Sequence, residues 1–121
     1  MATKEERRWR YSLCSYKAGE AMLNLQGRQG NRLIQAHVGG RLQWEAGDEP
    51  VQYRVILCSP GKKQGEIKAA ETLVENAQTK GWQYVGLQGD AHIFMAPMEA
   101  KPIFSSPGAE LEFSIRNSLR R

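Results

Sequence analysis

The sequence predicts an α+β fold. Two βαββ units are expected to form a two-layer sandwich, ferredoxin-like in style, with an antiparallel-rich sheet and two helices on one of its faces. Stretches that alternate with a period of two are interleaved with stretches of helical period. The order strand, helix, strand, strand occurs twice along the chain. One unit of this size cannot bury both a helix face and a sheet face alone, so the two units should share a core.

The 121 residues are expected to form a single domain. The first repeat covers about residues 9–47, the second about residues 51–96, and residues 97–121 form a tail. Gly30 and Gly81 occupy matching places in the two repeats, where each helix ends. Glycine adopts the positive φ of a helix end at little cost, so both residues are predicted to stop their helices.

In the first repeat, alternation of Trp9, Tyr11 and Leu13 predicts a strand. A helix is predicted over about residues 17–29, with Ser15 as its N-cap. Residues spaced i, i+3, i+4 and i+7 predict its buried face. They are Ala18, Ala21, Met22 and Leu25. Two strands, 31–38 and 41–45, should follow around a turn at Gly39–Gly40.

In the second repeat, residues 51–58 alternate most clearly, and the second face of this strand is also partly apolar. This pattern favours a central position in the sheet. A helix is predicted over about residues 66–80, and strands over 82–88 and 91–96. The buried face of the helix is predicted to hold Ile67, Ala70, Leu73, Val74 and Ala77.

The tail has two possible structures. Ser105 or Ser106 before Pro107 is a typical helix start. Leu111, Ile115 and Leu119 recur every four residues, which favours an amphipathic helix, whereas alternation of Leu111, Phe113 and Ile115 favours an edge strand. Residues 103–104 are expected to pack on the sheet or on a partner.

The net charge of +4 comes from the two ends of the chain. Residues 1–10 carry +2 and residues 115–121 carry +3, while residues 11–114 carry −1. A phosphate-binding face needs basic residues clustered on the fold itself, so no nucleic-acid partner is expected. No apolar run reaches about 20 residues, and the first ten residues do not resemble a secretory signal. The expected location is the cytoplasm, without a membrane span in this chain.

No catalytic, cofactor-binding or metal-binding set is predicted. His37 and His92 are expected to be half-exposed strand residues, and Cys14 and Cys58 buried thiols, which together give poor zinc-ligand spacing. The loop at residues 60–65 precedes a helix but lacks the spacing of a phosphate-binding loop. The carboxylate pairs Asp48–Glu49 and Glu71–Glu75 are expected to be solvent-exposed.

Aromatic side chains on the strands give the main functional hypothesis. The candidate ligand or partner surface consists of Trp44, Tyr53, Trp82, Tyr84 and His92. One hypothesis is a non-enzymatic interaction or sensory module, which forms a homo-oligomer or binds a protein partner through an open sheet face or the C-terminal segment. The alternative is a small-molecule-binding protein or enzyme with an aromatic pocket between the sheet and the helices.

Five segments carry a family resemblance through their order and spacing. They are residues 30–33, 44–54, 81–86, 93–94 and 102–104. Together they resemble the bacterial domain-of-unknown-function 2812 family. The resemblance covers roughly residues 9–105 and implies a small cytosolic module. It also implies a possible link to a PadR-like regulator and, in many members, a C-terminal membrane segment. The family usually has an aromatic residue where this chain has Asn31.

Overall fold

The computed structural model describes residues 6–12, 15–37, 40–59 and 64–119. The α+β class is confirmed, and strands and helices follow one another in the predicted order. The elements are β1 (Glu6–Arg8), α1 (Tyr16–Arg28), β2 (Asn31–Ala36), β3 (Arg41–Ala46), β4 (Val51–Leu57), α2 (Gln64–Thr79), β5 (Gln83–Gln88), β6 (Ala91–Pro97) and α3 (Pro107–Ser114), and a π-helical turn over Ile115–Leu119 follows α3.

The described strands form two antiparallel three-stranded sheets instead of one. Their orders are β1-β3-β2 and β4-β6-β5. The central strand of the second sheet is therefore β6, and the prediction that the strand at residues 51–58 is central is wrong. On the outer edges of β4 and β2, side chains form hydrogen bonds with the backbone N–H and C=O groups, as described below. No further strand of the described residues pairs with these edges at those positions.

The two longer helices pack on opposite faces of the second sheet. Val55 on β4 faces a cluster that includes Leu23 of α1 and the inner side of the first sheet. Ile56, one residue later, faces a cluster that includes Leu73 of α2. The prediction of two helices on one face is therefore wrong. The physical reason is that the central strand β6 is buried on both faces from Ala91 to Ala96, so the second sheet needs a cover on each.

Helix α1 lies within a residue of its predicted bounds, but its buried face is not the predicted one. Gly19, Leu23 and Gly27 face the core, whereas Leu25 is 49% exposed. A Cβ on Gly27 would collide with the carbonyl oxygen of Val51, and one on Gly19 with the ring of Trp9. The helix approaches its neighbours too closely there for larger side chains. Of the predicted buried face, only Met22 packs partly against the core, whereas Ala18, Ala21 and Leu25 are exposed.

The first strand lies earlier than predicted, because the structure has β1 at Glu6–Arg8 and irregular backbone from Trp9 to Ser12. Trp9 is buried, and its backbone N–H donates to the carbonyl of Gly40, which fixes this segment beside the β2–β3 turn. Ser15 occupies the N-cap position of α1 but does not cap it. Its hydroxyl instead accepts the Ser12 N–H at 2.9 Å. Leu13, Cys14 and Gly39 lie outside the described residues.

The helix ends and most of α2 agree with the sequence. Gly30 and Gly81 have φ values of +89° and +91° as α1 and α2 end. Leu73 and Ala77 of α2 are buried, but Ile67, on the first turns of the helix, is exposed.

The tail forms a helix, so the edge-strand alternative is wrong. The Ser106 hydroxyl caps α3 by accepting the N–H of Ala109. Ile103 is buried in the cluster under α2, and the rings of Phe104 and Phe113 lie 5.3 Å apart. The tail therefore covers the second sheet together with α2.

Candidate functional site

The five aromatic and histidine candidates do not form an exposed surface. All but Tyr84 are buried, with at most 5% of each residue exposed. Trp44 and Tyr53 meet in the core between the sheets, with ring centroids 6.1 Å apart. Trp82, Tyr84 and His92 lie outside this core cluster. Both faces of the second sheet are covered, so the five side chains do not form one open surface. Tyr53 and Trp82 line the groove described below, and a role of the five residues as a ligand or partner surface stays a prediction.

Tyr84 and His92 are brought together as a hydrogen-bonded pair. The Tyr84 hydroxyl lies 3.0 Å from Nδ1 of His92, and Nε2 of His92 lies 2.8 Å from the carbonyl oxygen of Cys58. Since a carbonyl only accepts, Nε2 carries the proton and Nδ1 accepts from the tyrosine. Burial on the central strand lowers the pKa of His92, which contradicts the predicted half-exposed position.

This pair is poorly suited to proton transfer. A proton that moves from Tyr84 to His92 has no basic group beyond it, since the carbonyl of Cys58 takes no proton at neutral pH. Burial also raises the pKa of Tyr84, which favours the neutral hydroxyl. The arrangement holds β4, β5 and β6 together and offers no activated nucleophile.

In the described ranges, no group of three or more His, Cys, Asp or Glu residues lies close enough together to hold a metal ion. His37 lies at the end of β2 with its Nε2 3.0 Å from Oε1 of Gln43. Cys58 is a buried thiol. Cys14, which is predicted to be a buried thiol, and residues 60–63 of the loop before α2 lie outside the described residues.

Tyr53 joins the two sheets. Its hydroxyl donates to the carbonyl oxygen of Asn31 and accepts the N–H of Leu33, both at 2.8 Å. The residue is 1% exposed, and burial raises its pKa to about 12. The hydroxyl thus satisfies two backbone groups on the outer edge of β2 that would otherwise be buried without a partner.

The outer edge of β4 is covered by two side chains of α1. The Asn24 amide pairs with the backbone of Tyr53, its Oδ1 accepting the N–H at 2.7 Å and its Nδ2 donating to the carbonyl at 3.1 Å. Oε2 of Glu20 accepts the N–H of Val55 at 2.8 Å. Asn24 therefore makes the same two hydrogen bonds that a neighbouring strand would make.

A network of four charges connects α1, β4 and α3. The Glu110 carboxylate, in a residue only 5% exposed, lies 2.9 Å from both Nζ of Lys17 and Nη2 of Arg54. Glu20 lies 3.4 Å from Lys17 and 3.7 Å from Arg54. The four formal charges cancel. This network is not among the features predicted from the sequence, although Glu20 and Asn24 share one side of α1 with its glycines.

A groove of about 390 Å³ lies between the end of α1, the start of β4 and the tail segment 98–102. Arg28 and Met98 are among its exposed lining residues, and Trp82 contributes from the sheet side. The Nε2 group of Gln52 donates to the carbonyls of Pro97 and Met98 at 2.9 and 3.2 Å. These bonds hold the tail against β4 at the groove.

The outer side of the C-terminal helix carries the second surface feature. Leu111 is 56% exposed and Ile115 is 48% exposed, one helical turn apart. Glu112 and Arg116 form an ion pair of 3.1 Å beside them. These four residues, together with Gly108, line a shallow depression of about 520 Å³, which we call the tail-helix surface.

Comparison with protein-family models, with the curated proteins and with the solved structures found no match. The resemblance to the domain-of-unknown-function 2812 family and the link to a PadR-like regulator thus stay predictions. Among the helices in the described part of the chain, none has the length and apolar character needed to cross a bilayer.

Proposed function

We propose that the protein is a non-enzymatic interaction module that pairs with a second copy of itself through the tail-helix surface. The observation that carries this proposal is the exposed pair Leu111 and Ile115, one turn apart on α3 and the π-helical turn. Exposed apolar patches of this kind are typical of interaction sites. The cytoplasmic location predicted from the sequence is part of the proposal.

The charges beside this pair favour a second copy as the occupant. Glu112 precedes Arg116 by one turn. When two such helices pack antiparallel about a twofold axis, Glu112 of each copy faces Arg116 of the other, and the apolar residues meet between them. A surface with apolar centre and opposite charges in this order is therefore complementary to itself.

The expected affinity is low. Burying the exposed halves of Leu111 and Ile115 in both copies contributes about 4 kcal/mol. Association also costs translational and rotational freedom, so the dissociation constant is about 1 mM or weaker. Charge pairing at the rim adds specificity more than affinity. The dimer should therefore form in a concentration-dependent way, as transient interfaces do.

Sedimentation velocity over a concentration series tests the proposal. The full chain is expected to show self-association that Leu111→Glu with Ile115→Glu abolishes. Leu25→Glu is the matched control, because Leu25 is a helical leucine with a similar exposure of 49% but lies on α1. Association that survives the double substitution, or a strict monomer at millimolar concentration, would refute the proposal.

A charge exchange tests the antiparallel geometry. Glu112→Arg and Arg116→Glu should each weaken self-association, since each creates like charges across the twofold axis. Mixing the two variants should restore pairing, because each Arg then faces a Glu of the other chain. If the mixture associates no better than either variant alone, the antiparallel arrangement is wrong.

A further inference from the structure

The groove between α1, β4 and the tail segment 98–102 combines one uncompensated cation with an apolar wall. Arg28 is exposed at the end of α1 and makes no ion pair with any other residue in the described ranges. Arg54 also lines the groove, but its guanidinium is paired with Glu110 and lies near Glu20. The lining therefore has a net positive charge, and Arg28 supplies it.

The tail segment gives the same groove an apolar wall that is held in place. Met98 is 50% exposed, and Pro102 and Ala100 continue the same wall. Trp82 Nε1 donates to the carbonyl of Lys101 at 2.7 Å, and Gln52 donates to carbonyls of the same segment. Bonds at both ends of the segment give a groove that exists before any ligand binds.

We propose that this groove binds a small organic carboxylate that carries an apolar group. A guanidinium presents a planar fork of donors that matches a carboxylate. Met98, Pro102 and the ring of Trp82 give the apolar part of the ligand a surface to cover. A volume of about 390 Å³ fits a ligand of this size. A polyanion is a poorer fit, because the groove has one unpaired arginine and an apolar wall.

Two-dimensional ¹H–¹⁵N NMR titration of the full chain with 4-phenylbutyrate tests this inference. The expected result is a saturable shift of the amide signals of Asn24, Gln52 and Met98. A ligand bound by about 4 kcal/mol occupies half of the protein at about 1 mM. The titration therefore extends to about ten times that concentration, about 10 mM. The uncharged 4-phenylbutyramide and acetate, which lacks the ring, should both bind more weakly. No shift at these residues, or equal binding of the amide, overturns the proposal.

Variants separate the groove from general charge effects. Arg28→Gln should weaken binding about five-fold, the value of an exposed ion pair of about 1 kcal/mol. Met98→Asp should also weaken it, since it places a negative charge on the rim. The matched control is Arg41→Gln, which removes an exposed arginine on β3 outside the groove. An equal loss of binding in the control would contradict the assignment.

This inference is independent of the proposed self-association. The groove contains neither Leu111 nor Ile115, and the tail-helix surface contains neither Arg28 nor Met98. Failure of the NMR titration leaves the sedimentation result unchanged, and the reverse also holds.

Discussion

Replacing Tyr53 by phenylalanine removes one oxygen atom that connects the two sheets. The hydroxyl makes two hydrogen bonds of 2.8 Å to backbone groups of β2 in an environment that is 1% exposed. Each bond contributes about 1 kcal/mol, and a buried N–H without a partner costs about 1–3 kcal/mol. We expect Tyr53→Phe to lower the free energy of unfolding by about 2–3 kcal/mol at pH 7, measured by urea unfolding.

The pH dependence of this difference provides a second measurement. The pKa of Tyr53 is about 12 in the folded chain and near 10 in the unfolded chain. Below pH 10 the hydroxyl is protonated in both states, so its contribution is fully present. Between pH 10 and 12 the unfolded chain ionises first, and the wild type loses about 1.4 kcal/mol per pH unit. The gap between wild type and variant should therefore shrink above pH 10.

The control is Tyr11→Phe, because the hydroxyl of the half-buried Tyr11 makes no hydrogen bond with other described residues. This variant should change stability by less than about 0.5 kcal/mol. The account of Tyr53 is wrong if Tyr53→Phe costs no more than the control. It is also wrong if the gap between wild type and Tyr53→Phe stays constant up to pH 11.

Three further predictions concern stability. Gly27→Ala should lower the free energy of unfolding by at least about 1 kcal/mol, because the added Cβ clashes with the backbone of β4. Gly65→Ala should raise it by up to about 1 kcal/mol, because the space around Gly65 is open. The midpoints of urea unfolding measure both changes. Burial lowers the pKa of His92, so its contribution is present above the unfolded-state pKa of about 6.5 and is lost as pH falls through the folded value. His92→Gln should flatten the acid side of the stability profile, and an unchanged profile would contradict the role of this ring. Glu110→Ala should lower the free energy of unfolding by about 1–3 kcal/mol, because its two cationic partners lose their carboxylate. The control is Glu112→Ala, which should cost less than about 0.5 kcal/mol because the Glu112 side chain is 72% exposed. Thermal unfolding measures both.

Local signals in the sequence predicted the elements well. Apolar periodicity located α1 and α2, and glycines with positive φ end both helices where the sequence placed them. Ser106 before Pro107 likewise predicted the start of α3, where the serine hydroxyl caps the helix. These signals act within one or two turns of the chain, so they do not depend on how the elements pack.

The packing of α1 was not predictable from hydrophobic periodicity. Leu25 belonged to the predicted buried face, yet Gly19 and Gly27 form the contact because the absence of a Cβ permits close approach. Glu20 and Asn24 on the same side are polar, which a periodicity argument assigns to solvent. They are held close to β4 because they bond to its backbone.

The candidate site was predicted only in part. Alternation along β4 indicated one apolar face and a second face that is partly apolar, but sequence alone does not show what covers each face. The covers come from distant segments, since Glu110 reaches β4 from the tail and α2 lies opposite α1. The C-terminal segment was among the predicted interaction surfaces, because the spacing of Leu111 and Ile115 is visible in the sequence.

The cover that Asn24 and Glu20 provide for the edge of β4 also bears on aggregation. An uncovered edge of an apolar strand recruits strands from other chains. Helix α1 precedes β4 in the chain, so during synthesis the cover emerges before the edge that it protects. If α1 detaches from the folded protein, β4 presents unpaired backbone N–H and C=O groups. We then expect β4 strands of different copies to pair with each other, in competition with the return of α1. By bonding to the backbone of Tyr53 and to the N–H of Val55, the two polar side chains occupy the groups with which another strand would pair.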